Sequence, residues 1–240
     1  MAKHFVTTMN KKLFDNYGKD LLISYMNTGQ KYPMYVYVED DIQKYPIMKD
    51  IIYVPLFEEE PECENFVRRN KNKDIPSFMF DAVRFSYKVF AQCNASKHGG
   101  KMYYVDGDSV FLKTMNDDIL DTLLPDKTCV SHYYRQGMYT ETGFIGFNME
   151  HACMKDFMEY YKNLYVNDTV YNLSHYTDCH TFDNTRKIMT NKFRDDYYEK
   201  KLGDGRTGHI MARCNLIHDY LDHRKGKRKL QKHSPEWIRS

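Results

Sequence analysis

The chain is predicted to adopt an α/β fold: one domain with a mixed, mostly parallel central sheet flanked by helices. Three observations lead there. Strand-like and helix-like segments alternate through the first half, the pattern of β-α-β units. The 240 residues, 42% of them hydrophobic, suffice for one large core, and no Pro/Ser-rich linker or internal repeat divides them. Acidic clusters follow two of the predicted strands, at the carboxyl ends where open α/β sheets bind ligands.

His4 to Met9 reads as the first strand. Leu13 to Tyr25 carries apolar residues at 13, 14, 17, 21, 22 and 25, a helical spacing. Met34 to Val38 (Met-Tyr-Val-Tyr-Val) is a second strand ending in Glu39-Asp40-Asp41, and Ile51 to Leu56 a third. Phe78 to Cys93 has helical periodicity, and after the Gly99-Gly100 break Lys101 to Val105 is an apolar strand that ends in Asp106-Gly107-Asp108. The second half is more mixed. Val110 to Leu112 is a short strand, Asn116 to Leu124 a helix closed by Pro125, Phe144 to Phe147 a strand, and His151 to Tyr165 and His175 to Met189 helices. Gly203 to Gly208 reads as loop, followed by a basic tail. This division sets a first half at 1–112, a second at 113–222 and a tail at 223–240.

Lys plus Arg (35) nearly balance Asp plus Glu (33), so total charge favours no class of partner. The distribution is uneven: from Arg224 onward there are seven basic residues and one acidic, Glu236. Six cysteines are scattered at 63, 93, 129, 153, 179 and 214, with no C-x-x-C pair, a spacing that argues against a zinc cluster and for free thiols. The N-terminus lacks the apolar run of a signal peptide, and no stretch is long enough to span a membrane. The expectation is a soluble, cytoplasmic protein. Nothing sets its oligomeric state.

Two short segments carry the chemistry. Asp106-Gly107-Asp108 brings two carboxylates to a strand tip, where oxygen ligands suit a hard divalent cation and unpaired buried charge demands compensation. His223, Gly226 and Lys229 stand at three-residue steps. Imidazole suits a borderline metal, glycine allows close backbone approach, and lysine neutralises phosphate. Together the two segments suit a metal-bound diphosphate.

The H-x-x-G-x-x-K string downstream of a strand-end D-x-D resembles the glycosyltransferases of the GT-A fold, most nearly the glycogenin-like and galactosyltransferase group called family 8. The resemblance implies a single GT-A-like domain with a Rossmann-like sheet, in which 1–112 is the nucleotide-binding half, 113–222 the donor-sugar and acceptor half, and 223–240 a tail closing on the diphosphate. It implies that Asp106, Asp108 and His223 hold Mn²⁺ or Mg²⁺, that Gly226 and Lys229 meet the diphosphate of a UDP-sugar, and that Asp106 also counts among the donor-binding residues. Phe5-Val-Thr7-Thr8 resembles the first strand lining the nucleotide pocket, with Tyr17 a stacking partner for the base. Asp81-Ala-Val-Arg84-Phe-Ser-Tyr-Lys88 resembles the helix ahead of the D-x-D, and Arg84 and Lys88, four apart, share a face toward the donor. Glu141-Thr-Gly-Phe-Ile-Gly-Phe-Asn148 resembles the strand whose first residue meets the donor sugar, with Glu141 where the family has Asn. Tyr176-Thr-Asp178-Cys179 falls at the family's Asp-Gln helix start. Glu141 and Asp178 are therefore the catalytic candidates. The family's Pro-Trp after the lysine is Leu230-Gln231 here. The resemblance further implies retention of anomeric configuration. The wording around Glu141 and Asp222-His-Arg-Lys-Gly is also similar to small bacteriophage-encoded glycosyltransferases, which implies a hydroxymethylated pyrimidine in DNA as one acceptor, beside glycans, lipids and proteins.

Two other classes compete. Asp106-Gly-Asp108-Ser-Val110 also fits a haloacid-dehalogenase phosphatase, with Gly203-Asp204 as its later acidic motif. Its nucleophile usually lies near the N-terminus, and it leaves H-x-x-G-x-x-K unexplained. A nucleic-acid-binding module is suggested by the basic tail and 21 tyrosines, against the charge balance elsewhere.

Overall fold

A computed structural model describes residues 1–205, 211, 214–226 and 228. Its centre is a seven-stranded sheet in the order β3-β2-β1-β4-β7-β6-β8. β1 (Lys3–Met9), β2 (Met34–Val38), β3 (Ile51–Pro55) and β4 (Lys101–Val105) pair in parallel. β7 (Glu141–Asn148) runs antiparallel to both β4 and β6 (Val130–Arg135), and the edge strand β8 (Glu199–Gly205) pairs in parallel with β6. The expected α/β class, with a mostly parallel sheet flanked by helices, is the one observed.

Alternation along the strands builds two cores. Val6, Tyr37, Met102, Tyr104, Ile145 and Phe147 face one side, against α5 (Ala82–Ala95), α7 (Met154–Val166) and α8 (Asp178–Phe193), with α3 (Leu56–Glu59) and α4 (Pro61–Asn70) completing that layer. Phe5, Met34, Val36, Tyr103, Val105 and Phe144 face the other side, against α2 (Lys19–Asn27) and α6 (Asp117–Leu123). Buried cations at the strand starts tie the sheet to α6 and the loop after it. Lys3 pairs with Asp117 at 2.6 Å, and Lys101 with Asp121 at 2.8 Å and Asp126 at 2.6 Å. Such buried ammonium groups persist only when paired.

Most strands and helices lie where the local patterns place them, and the departures have local causes. The first helical run is not continuous: α1 (Lys11–Leu13) passes through a π-helical turn, Phe14–Gly18, before α2. Gly18 lies so close to β1 that a Cβ there would meet Met9 Sδ at 2.6 Å. Leu56 leaves the third strand to open α3 behind Pro55, and Phe78–Phe80 is a 3₁₀ turn separated from α5 by its N-cap Asp81. The strand expected at Val110 to Leu112 is β5 (Ser109–Phe111), and its partner is the unforeseen β9 (Leu221–His223) in a separate two-stranded sheet. Gly203, expected in a loop, belongs to β8. β6, β8 and α4 also lacked a clear local signal. Among the described residues no helix is long and apolar enough to cross a membrane, and all six cysteines are free thiols.

Candidate functional site

The D-x-D turn sits at the carboxyl end of β4. Asp106 continues the ladder by donating its N–H to Gly143 O at 2.9 Å, and Ser109 N–H closes the turn onto Asp106 O at 3.0 Å. The chain then enters β5, whose antiparallel partner β9 sets Ser109 opposite His223. Arg224 N–H donates to Asp108 O at 3.0 Å, prolonging this pairing. A strand pair 114 residues apart in sequence thus carries the imidazole onto the two carboxylates. His223 Nε2 lies 3.0 Å from Asp108 Oδ1 and 3.6 Å from Asp106 Oδ2. Adjacent ligands of an octahedral cation with bonds near 2.1 Å stand about 3 Å apart, and carboxylate-imidazole sets suit Mg²⁺ and Mn²⁺. The donor set and its spacing therefore fit a divalent cation, with ligand atoms all within 4.8 Å of one another.

The segment bearing His223 is held from below. Asp222, fully buried, accepts two hydrogen bonds from Arg228 at 2.7 and 2.9 Å, and Arg228 also donates to His223 O at 3.0 Å. From above, His223 lies close against β7: a Cβ on Gly143 would stand 2.5 Å from its Cε1 and Nδ1. Glycine is required there by close approach rather than by backbone angle. We expect Gly143→Ala to displace the imidazole by a fraction of an ångström or more and to cut divalent-metal affinity or turnover by about 10–100-fold, with the fold retained. Calorimetric titration with Mn²⁺ checks this, and wild-type affinity in the variant would refute it.

Lys88, buried on α5, joins the other half of the site. Its ammonium lies 2.8 Å from Asp106 Oδ1 and 2.6 Å from Asp178 Oδ2, and donates to Thr142 O at 2.7 Å. Burial alone would lower the Lys88 pKa, but Asp106 and Asp178 outweigh it and hold the amine charged. Asp178 is the first residue of α8, capped by Thr177, and accepts from Thr142 Oγ1 at 2.6 Å. Burial would raise its carboxyl, but Lys88 and Thr142 draw it down. Asp106 goes the other way: burial, with Asp108 and Asp178 nearby, raises it against the pull of Lys88 and His223. For His223, burial opposes the charge, while Asp108, Glu141 and Asp106 raise its pKa. Glu141, at the start of β7, is buried against Lys225, with which it forms an ion pair. Arg135 Nη1 stands 3.4 Å from it and His223 Nδ1 3.9 Å.

The remaining expected residues fall unevenly. Tyr17 lies in the π-helical turn, a backbone form frequent at functional sites. Burial, together with Asp108 and Asp106, pushes its hydroxyl up to about 12. A Cβ on Gly107 would be 3.8 Å from the Tyr17 ring and 3.7 Å from Thr8 O, so the D-x-D turn rests over both. The Thr8 hydroxyl donates to Tyr37 O at 2.9 Å, and Thr7 is wholly buried. Arg84 is exposed one turn before Lys88, near enough to Tyr17 for its charge to oppose part of that rise. Gly226 is exposed with φ +59°, and among the described residues nothing beyond its chain neighbours lies within 4 Å of where its Cβ would stand. Lys229 lies outside the described residues. Gly203-Asp204, the second acidic motif of the phosphatase reading, lies on β8, three strands from β4. That offset is about 14 Å, too far for one phosphoryl site.

Several site residues escaped the motif reading: Arg228, Lys225, Arg135, Thr142 and Gly143. A basic run next to Asp222 was a signal for Arg228. Glu39 lies, as expected, directly after β2 at the carboxyl end of the sheet. Burial raises the Glu39 carboxyl from 4.5 to about 7 despite a 3.0 Å hydrogen bond from Asn10. Between those pH values the folded chain keeps a proton that the unfolded chain releases, so this group makes stability fall as pH rises from 4.5 to 7. Its full ionisation costs about 3 kcal/mol. Glu39→Gln is expected to be more stable than wild type above pH 7 and to differ little from it at pH 4, as denaturant melts would read. A difference independent of pH would refute the assignment.

No protein-family profile matches the chain, and no curated protein sequence matches it. Solved structures do. Mouse xyloside xylosyltransferase 1 in its apo form superposes with a TM-score of 0.52 at 10% identity, over 85% of this chain and 86% of that one. The apo WbbM bifunctional glycosyltransferase gives 0.52 at 11%, over 94% of this chain and 46% of its own, so the chain spans about half of WbbM. A glycosyltransferase involved in glycosylation of the major capsid of PBCV-1 gives 0.51 at 10%, over 97% and 100%. At such identities the likeness establishes the fold, the GT-A-like sheet architecture that these proteins share with this chain.

Proposed function

We propose that the chain is a metal-dependent glycosyltransferase that moves a sugar from a nucleoside-diphosphate sugar of the UDP-hexose kind to a hydroxyl acceptor. The observation that carries this reading is the convergence of Asp106, Asp108 and His223 at the carboxyl end of β4, on a fold shared with solved glycosyltransferases. The cation held there, Mn²⁺ or Mg²⁺, would supply Lewis-acid stabilisation of the departing diphosphate.

The chain's own groups supply the rest. Lys88 fixes Asp106 and Asp178 by standing between them, so both carboxylates are oriented before substrate arrives. Asp178 and Glu141 are proposed to orient the donor sugar and stabilise its oxocarbenium-like state. Tyr17 and Thr8, under the D-x-D turn, are the proposed wall for the base, with Thr7 behind them in the core. Arg84 at the mouth, the exposed backbone at Gly226 and Lys229 beyond it are proposed to meet the phosphates. Retention of configuration and membership of family 8 belong to the same reading, as does a hydroxymethylated pyrimidine in DNA as acceptor.

The test is mass spectrometry of the full chain incubated with a panel of nucleotide sugars, with Mn²⁺ or with excess EDTA. Hydroxymethylated DNA, oligosaccharides, lipids and proteins are offered as acceptors in parallel. A mass shift of one hexose that requires the cation is expected. Full transfer in EDTA, or phosphate release from a simple phosphomonoester without transfer, would overturn the reading. Loss of transfer to DNA as salt rises would mark the DNA arm, because phosphate contacts release counterions.

A further inference from the structure

We infer that Cys129, His151 and Cys153 form a zinc site, separate from the candidate active site and on the opposite edge of the sheet. Scattered positions in sequence argue against a zinc cluster, but the fold brings these three together, with one ligand atom of each within 4.8 Å of the others. Cys129 is the residue before β6 and Cys153 the N-cap of α7. His151 lies in the turn between β7 and α7. Lys101 of β4 pairs with Asn148, just before that turn, whereas Asp106 follows the other end of β4. The two sites are therefore separated by the five-residue strand, about 17 Å.

The geometry suits tetrahedral soft-metal ligation. His151 Nδ1 stands 3.3 Å from Cys129 Sγ, and the Cys153 backbone N–H donates to the same nitrogen at 3.4 Å, a bond that metal ligation through Nδ1 would replace. Sulfur and nitrogen ligands on a tetrahedral Zn²⁺ with bonds near 2.3 and 2.05 Å lie about 3.6 Å apart. Both cysteines are fully buried, yet the site is not an apolar one. The Tyr198 amide points its N–H at Cys129 Sγ at 3.3 Å, a contact that favours thiolate. The backbone is pinned around the sulfurs: Cys129 N–H donates to Tyr198 O at 2.8 Å, and Asn148 N–H to Cys129 O at 2.9 Å. Two thiolates and one imidazole favour Zn²⁺ over the hard cation of the other site. His151 and Cys153 also line a cavity of about 450 Å³ that reaches Glu150 and Asp196, so water can take the fourth position. A metal here would fasten the start of β6, the start of α7 and the segment leading into β8.

The experiment uses the full chain purified with Zn²⁺ and dialysed. The expected result is one zinc per chain, kept in a variant lacking Asp106, Asp108 and His223, and a fall in melting temperature of about 5 °C or more when the zinc is stripped. Replacement by Co²⁺ should give thiolate-to-cobalt charge-transfer absorption. Cys153→Ser should abolish that band, and His151→Gln, which leaves both sulfurs in place, should weaken metal affinity at least about tenfold. If Cys153→Ser does not fold, the cobalt spectrum of wild type and the His151→Gln titration decide. Absence of bound zinc and of the charge-transfer band in wild type overturns the assignment. So does zinc lost along with the Asp106 site, or a Cys129–Cys153 disulfide found where the metal should be. None of these outcomes depends on the transferase reading.

Discussion

Asp108→Ala is expected to lower turnover at least about 100-fold and to abolish Mn²⁺ binding at the D-x-D site, while far-UV circular dichroism stays that of wild type. Asp108 is mostly buried, with a carboxylate oxygen 3.0 Å from His223 Nε2, and its loss removes one donor from a three-donor set that could hold a metal. Removing a single preorganised electrostatic group of this kind typically costs about 2.7–4 kcal/mol of barrier, and each 1.36 kcal/mol is tenfold in rate. The fold is spared because Asp108 sits in a turn whose backbone bond, Arg224 N–H to Asp108 O, survives the substitution. Steady-state rates at saturating Mn²⁺ check the prediction, and a variant within threefold of wild type would exclude Asp108 from the metal site.

Arg228→Ala should have an effect of comparable size by another route. Asp222 is fully buried and relies on the two Arg228 hydrogen bonds, with Arg224 Nε farther away at 3.6 Å. Breaking a buried ion pair from one side leaves an uncompensated charge and costs about 3–5 kcal/mol. Asp222 belongs to β9, so the strain falls on the strand that carries His223. Metal affinity is therefore expected to fall together with stability, although Arg228 is not a ligand. Denaturant melts and Mn²⁺ titration read the two effects separately. Asp222→Asn combined with Arg228→Met, which removes both charges, should recover much of the stability. A single variant with wild-type stability and wild-type metal affinity would refute the anchoring role.

The parts of this protein that were legible in its sequence are those set by short-range physics. Met102 to Val105 and Met34 to Val38 are unbroken runs of apolar and aromatic residues because their strands are largely buried on both faces, and His4 to Met9 shows through Phe5, Val6, Met9 and two β-branched threonines. The helix α5 shows through its periodicity and its Asp81 cap. The placement of acids at strand ends follows from the same alternation, which is why the D-x-D could be assigned to a sheet edge. β6 was not legible, because Ser131, His132 and Arg135 are polar yet buried. Neither was β8, whose Glu-Lys-Lys start reads as solvated, as edge strands often do.

What the sequence by itself determined is the α/β class, the run of parallel strands from β1 to β4, and two chemically apt segments, Asp106-Gly-Asp108 and the stretch from His223. Only the tertiary structure decided that these segments meet. Their meeting depends on β5 pairing with β9, on a glycine at 143 that leaves room for an imidazole, and on Lys88 joining Asp106 to Asp178. Only the fold, likewise, brought two cysteines 24 positions apart onto one histidine. Periodicity reports which face of an element is buried, because that depends on residues within a turn or two. It is silent on which distant element covers that face, because that is settled by loop closure and packing across the whole core.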